Sequence, residues 1–287
     1  MREVQTIPLV TGACRHPQGM TIMGGTWRPV DFPAVAMLLI HPDEGPILFD
    51  TGYDPAFLRA TAQLPEALYR WATPVRLPPG ADAASQCRAL GHDPATVRHV
   101  ILSHFHGDHI AGLHAFPRAA IYCARAGLDD IGRRNRFGAT RRGLLPALLP
   151  ADLADRARFF EDAPRHPLPR DAAPFEHGAD ILGDGSLLAV ELPGHCPGHW
   201  GLALRDAKWG LHMLVADAAW SMDAIRQNRP PPALATAFLG NTARARSTLD
   251  ALHRLATRNP DIRLTPCHCP ERAGEIGGAQ NYGVESA

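Results

Sequence analysis

Apolar positions along this chain fall in short runs, and the turns between them define the elements. Residues 35–40 (VAMLLI) and 47–49 (ILF), separated by the turn-forming stretch 41–46, have the spacing of a strand hairpin. The second run ends in Asp50-Thr51-Gly52, a strand end passing into a loop. The pattern then predicts a helix over 81–90. A buried strand follows over 97–102 (VRHVIL) and runs into Ser103-His104-Phe105-His106-Gly107-Asp108-His109. Another strand is expected over 119–123. The stretch from about 125 to 175 is rich in Arg, Pro and Ala, with helical patches at 144–149 and 153–160. It reads as a helical cap or lid inserted into one domain that spans 1–287. Strand signals resume at 187–192, 201–204 and 211–215. An amphipathic helix over 242–258 is stopped by Asn259-Pro260, and a last strand at 262–265 delivers Pro266-Cys267-His268. Strands, a helical insertion, then strands and a helix imply a two-sheet core with helices outside.

Composition narrows the possibilities. The 29 basic and 29 acidic residues leave no net charge, so no electrostatic drive toward nucleic acid or an anionic membrane is expected. No apolar run is long enough to span a bilayer. The opening MREVQTIPLVTGAC carries an early acid and no continuous apolar segment, so no secretory signal is read there. The six cysteines show no framework spacing, and the expectation is a cytoplasmic protein with reduced thiols. The 15 histidines are the unusual count, because imidazole is the commonest metal ligand and the neutral-pH proton carrier.

Four metal-capable residues fall within six positions: His104, His106, Asp108 and His109. In extended backbone, residues two apart face the same way, so His104 and His106 can grip one cation. Imidazole with carboxylate suits zinc, iron, manganese, nickel or cobalt, and does not suit magnesium or calcium. A histidine-rich surface turn is the competing reading. Three further metal-capable residues, His195, Asp217 and His268, follow strand signals, where loops gather on one rim of a sheet.

The order H-x-H-x-D-H, then P-G-H-C-P-G-H, then a strand-end Asp, then a late His resembles the metallo-β-lactamase superfamily of hydrolases. The resemblance runs from about residue 35 to 268, and the second motif is most similar to the branch of N-acyl-homoserine lactonases and related small-ester hydrolases. It implies an α+β fold, a four-layer αββα sandwich with the helical insertion added. It implies two divalent metal ions, zinc foremost, with iron, manganese, cobalt or nickel as alternatives. His104, His106 and His195 would hold one ion, Asp108, His109 and His268 the other, and Asp217 would bridge them. A hydroxide between two such ions attacks a carbonyl, with Asp108 as proton acceptor and donor, so the implied reaction is hydrolysis of a lactone, ester or thioester.

Asp50 fits either a carboxylate that orients a ligand histidine or a turn cap. Lactonases of this branch place a tyrosine three residues after the bridging Asp. Trp220 stands there instead, which favours a bulkier or differently shaped substrate. Tyr69 and Trp71, with Phe57 nearby, are expected to wall the pocket or a subunit contact beside Trp220. Cys267 and Cys269, flanking His268 in a strand, are expected to point away from it as small buried groups, and His199 to hold its loop. The arginines at 133, 134, 136, 141 and 142 read as a solvated helical face before an anion site. The expected partner is a small carbonyl compound, with a homodimer possible. Two alternatives to the hydrolase are carried: a single-iron persulfide oxidoreductase on the same fold, and a metal-dependent ligand-binding effector with little turnover.

Overall fold

A computed structural model describes residues 2–275. Thirteen strands form one continuous, strongly folded sheet with two halves. The first half contains β1 (Glu3–Pro17), β2 (Pro29–His41), β3 (Gly45–Phe49), β4 (Val75–Arg76), β5 (His99–Ile101), β6 (Ala120–Cys123) and β7 (Ala157–Phe159). The second contains β8 (Arg165–Pro167), β9 (His177–Asp180), β10 (Leu187–Glu191), β11 (Trp200–Asp206), β12 (Gly210–Ala216) and β13 (Arg263–Pro266). The halves join where the start of β1 pairs in parallel with the end of β11, Glu3 opposite Arg205 and Val4 opposite Asp206.

Alternation explains why the central strands read as unbroken apolar runs. Met37, Leu39, Ile47 and Phe49 face inward and meet Leu187, Ala189, Leu202 and Leu204 from the other half. Leu38 and Leu48, on the opposite face of the same strands, pack under helices together with Ala83, Cys87, Ile110 and Leu113. On the far side, Leu188, Val190, Ala203 and Met213 bury against Leu249, Leu252 and Leu255 of the helix Thr242–Arg258. The result is helices, sheet, sheet, helices. Strands buried on both faces need apolar residues at every position.

Most expected elements stand within two residues of their expected positions, but β2 begins at Pro29, six residues before the expected run, and β1 lies where no element is expected. One expected element is of the wrong kind. The helical patch expected at 153–160 is corrected: the helix Leu153–Arg156 stops, and Ala157–Phe159 continues as β7 in parallel with β6. The region read as a lid therefore supplies the outer strands of both halves, β7 and β8, besides its helices Arg125–Gly132 and Arg136–Thr140. Its arginines behave as a solvated face in part, with Arg133 paired to Asp129 and Arg134 to Asp130. Among the described residues no helix is long and apolar enough to cross a membrane.

Candidate metal centre and substrate cavity

The metal-capable residues converge at one edge of the two halves because each follows a strand ending there. Beyond β5, Leu102 takes the backbone toward Ser103, and the short helix Gly107–Ile110 turns Asp108 and His109 inward. His195 and His199 lie in the loop between β10 and β11, Asp217 directly follows β12, and His268 lies in the turn after β13.

Three imidazole nitrogens meet first. His104 Nε2 lies 2.9 Å and His195 Nε2 3.0 Å from His106 Nδ1. Asp217 Oδ2 lies 3.2 Å from His195 Nε2. The other oxygen of Asp217 faces a second cluster, 3.5 Å from His109 Nε2 and 3.4 Å from His268 Nε2. Asp108 Oδ2 completes it, 3.7 Å from His109 Nε2 and 3.2 Å from His268 Nε2. All seven residues are buried or nearly so.

Neighbours fix the orientation of these groups. Asp50 adopts a left-handed backbone (φ 58°) and accepts hydrogen bonds from Ser103 N and Ser103 Oγ at 2.8 Å each, with His109 Nδ1 also at 2.8 Å. Of its two expected roles, orientation of a ligand histidine is thus the one its contacts serve. His268 Nδ1 donates to the carbonyl of Pro33 at 2.7 Å, leaving Nε2 for the cluster. His199 Nδ1 donates to the Leu192 carbonyl, and its Nε2 accepts from Asp217 N at 3.1 Å, so His199 positions Asp217 as well as its own loop.

The two clusters differ electrostatically. Burial, with the neighbouring imidazoles, keeps His104 and His195 neutral well into acid, and burial brings His106 down to about 4. At His109 burial opposes charge, but Asp50, Asp108 and Asp217 outweigh it and raise its pKa well above the usual histidine range. His268 is raised likewise, against burial, by Cys267 and Asp217. Both carboxylates, despite burial, stay ionised to low pH because His109 and His268 face them. His268 Nε2 is buried facing both carboxylates, without a well-aligned hydrogen bond to either. Convergent imidazoles and carboxylates suit divalent cations of the zinc, iron, manganese or cobalt kind. His104, His106 and His195 would hold one, Asp108, His109 and His268 another, with Asp217 between.

His106, Asp108, His195 and Asp217 form the floor of a cavity of about 550 Å³. Its walls are mainly apolar, from Tyr69, Leu68, Phe137, Trp220, Phe238 and Leu239. The Tyr69 hydroxyl donates to Asp108 Oδ1 at 3.2 Å, and burial followed by the Asp108 charge keeps that phenol protonated. Trp220 lies against His268, ring centroids 4.3 Å apart, and edge-on to Phe32. Trp71 is corrected: it is 64% exposed and does not line the cavity, because the helix Ala67–Ala72 presents Leu68, Tyr69 and Ala72 to the space instead.

Cys267 is also corrected. Its sulfur lies 2.6 Å from Asp217 Oδ1 and 4.0 Å from His109 Nε2. Strand alternation does not apply to it, since β13 ends at Pro266 and residues 267 and 268 form a turn. Cys269 does pack as a small buried group, in the apolar cluster under the Thr242–Arg258 helix. Cys196 brings a second sulfur near the three-imidazole cluster.

Comparison with known proteins matches residues 30–268 to the model of the metallo-beta-lactamase superfamily. The N-acyl homoserine lactonase AttM of Azorhizobium caulinodans is 30% identical over 206 residues, covering 69% of this chain and 68% of that protein. AttM of Agrobacterium fabrum is 28% identical, and there the match spans 63% of the relative's length. The N-acyl homoserine lactonase AiiB of Agrobacterium fabrum is 28% identical over 234 residues, 79% of this chain and 75% of that one. Among solved structures, an AiiA mutant of B. thuringiensis with N-decanoyl-L-homoserine bound at its active site shares the fold. Its TM-score is 0.70 at 18% identity, with coverage of 96% of this chain and 97% of that one. The dizinc quorum-quenching lactonase AidC superposes with a TM-score of 0.62 at 15% identity, covering 93% and 88%.

Proposed function

The chain belongs to the metallo-β-lactamase superfamily of metal-dependent hydrolases, and from that premise we propose that it is a two-metal hydrolase of a lactone, ester or thioester with an apolar chain. The observation that carries the reading is the seven-residue cluster, of which His106, Asp108, His195 and Asp217 line the floor of an apolar cavity of about 550 Å³. An N-acyl homoserine lactone is the first candidate, since AttM and AiiB are named for that substrate. Two bound cations would supply an activated water and polarisation of the scissile carbonyl.

The chain's own residues do the rest. Asp217 and the imidazoles hold the floor in register through Asp50, His199 and Pro33. Asp108 reaches the cavity with a carboxylate that stays ionised, so it accepts the proton of the attacking water and passes it to the leaving oxygen. The Tyr69 hydroxyl orients that carboxylate and offers a neutral donor on the cavity side, a task the branch assigns to a tyrosine at the position of Trp220. The Trp220 indole shields His268 and narrows the floor with apolar surface. Leu68, Phe137 and Leu239 exclude water from the chain of the substrate.

The test is metal content of the purified protein together with a panel of acyl homoserine lactones of graded chain length, aryl esters, thioesters and phosphoesters. Two ions per chain and turnover of a carbonyl substrate are expected, with His106→Ala and Asp217→Ala inactive. One iron with oxygen uptake, or two ions with no turnover on the panel, would overturn the proposal.

A further inference from the structure

The turn after β13 brings two donors to the second cluster. Cys267 Sγ lies 2.6 Å from Asp217 Oδ1 and 4.0 Å from His109 Nε2, and one ligand atom each from His109, Asp217, Cys267 and His268 falls within a 4.8 Å group. In tetrahedral zinc, bonds of about 2.3 Å to sulfur and about 2.0 Å to nitrogen place those two atoms roughly 3.5 Å apart. The sulfur is near that spacing from His109 Nε2, while its approach to Asp217 Oδ1 is hydrogen-bond length and would lengthen on metal binding by rotation of the side chain, without rearrangement of the backbone. That backbone is held on both sides: Cys267 N donates to the Ala216 carbonyl at 3.3 Å, and Val35 N donates to the Cys267 carbonyl at 3.0 Å. A second observation marks the same point as a ligand position. The His268 side chain is 1% exposed, and its Nε2 is turned into this group, facing Asp108 Oδ2 at 3.2 Å and Asp217 Oδ1 at 3.4 Å without a well-aligned hydrogen bond to either.

We propose that Cys267 Sγ is a direct donor to the metal ion held by Asp108, His109 and His268, so that the second position is a sulfur-containing site while the first rests on three imidazoles. The inference stands on the two-metal reading above. It makes the centre chemically unequal: thiolate favours zinc or cobalt over manganese at the second position. Coordination replaces the S–H proton, so each ion taken up there releases one proton from Cys267. Its alternative is a thiol that only hydrogen-bonds to Asp217.

The experiment loads the full chain with cobalt(II) and reads metal count and near-ultraviolet absorption for the parent, Cys267→Ser, Cys196→Ala and Cys14→Ala. Zinc-edge X-ray absorption on the parent provides an independent reading. Two cobalt ions with a sulfur-to-cobalt charge-transfer band are expected, the band persisting in Cys196→Ala and Cys14→Ala and lost in Cys267→Ser. A zinc–sulfur distance of about 2.3 Å is expected in the parent. Two bound ions without the band or the zinc–sulfur distance overturn the inference and leave the two-metal reading standing. So does a band that survives in Cys267→Ser or disappears in Cys196→Ala. If Cys267→Ser does not fold, the parent's zinc–sulfur distance and the Cys196→Ala spectrum still decide. A chain that binds no cobalt overturns the proposed function and this inference together.

Discussion

Asp50 touches no cavity surface, yet it governs three groups at the centre. It takes both donors of Ser103 and the outer nitrogen of His109, which fixes the ring orientation that leaves Nε2 facing Asp217. Asp50→Asn keeps the shape and removes the charge, and metal affinity measured by chelator competition should fall about 10–100-fold. Tyr69 acts differently, because its hydroxyl meets Asp108 and also faces the cavity. Tyr69→Phe should lower kcat about tenfold or more with metal content unchanged, since one donor hydrogen bond beside a general base is lost. An unchanged kcat in that variant would reduce Tyr69 to a wall. Asp108 and His109 were legible as donors from spacing alone, whereas the phenol of Tyr69 reaches Asp108 from 39 positions away, and no local pattern announces that.

At the scale of elements, the loop carrying His195 owes its position to one glycine. Gly194 has φ 134°, and a Cβ there would overlap the backbone of Ala245 in the helix Thr242–Arg258. Thr248 Oγ1 donates to the Pro193 carbonyl at 2.6 Å and Asn241 N to the Gly194 carbonyl at 2.8 Å, tying helix and loop together. Gly194→Ala should cost at least about 2 kcal/mol in urea unfolding, from backbone strain and steric overlap, and displace His195 enough to weaken the first metal position. Thr248→Ala should cost only about 1 kcal/mol. The helix itself was visible in advance, from its periodicity and its Asn259-Pro260 stop. The stretch 153–160 was not: residues 157–159 (ARF) are too few to show a period, and pairing with β6 decides their conformation.

At the scale of the molecule, stability should depend on pH through histidines buried away from the metal cluster. His212 on β12 bonds to Thr265 Oγ1 of β13 at 2.8 Å, and burial, then Arg263, brings its pKa down to about 3. The unfolded chain takes a proton near 6.5 while the folded one does not, so the stability that His212 contributes is full above that pH and is lost as pH falls toward 3. From pH 7 to pH 5 the loss is about 2 kcal/mol from this residue. Urea midpoints of His212→Gln should be correspondingly flatter over that interval, and an equal slope in both proteins would refute the assignment. Chelation should lower the melting temperature of the metal-loaded chain, because a ligand that binds only the folded arrangement stabilises it by mass action.

The linear order of residues by itself determined the donor types, the strands that precede most of them, and the apolar runs that forced two packed sheets. Ligand chemistry and strand burial are properties of residue type and near neighbours, and both survive in a string of letters. Only the tertiary structure decided that Cys267 faces Asp217, that Trp71 leaves the cavity while Tyr69 enters it, and that Asp50 serves His109. Each of those depends on where an element ends and which distant element it meets. A single turn residue after Pro266, or one step around a helix of six residues, reverses the direction of a side chain.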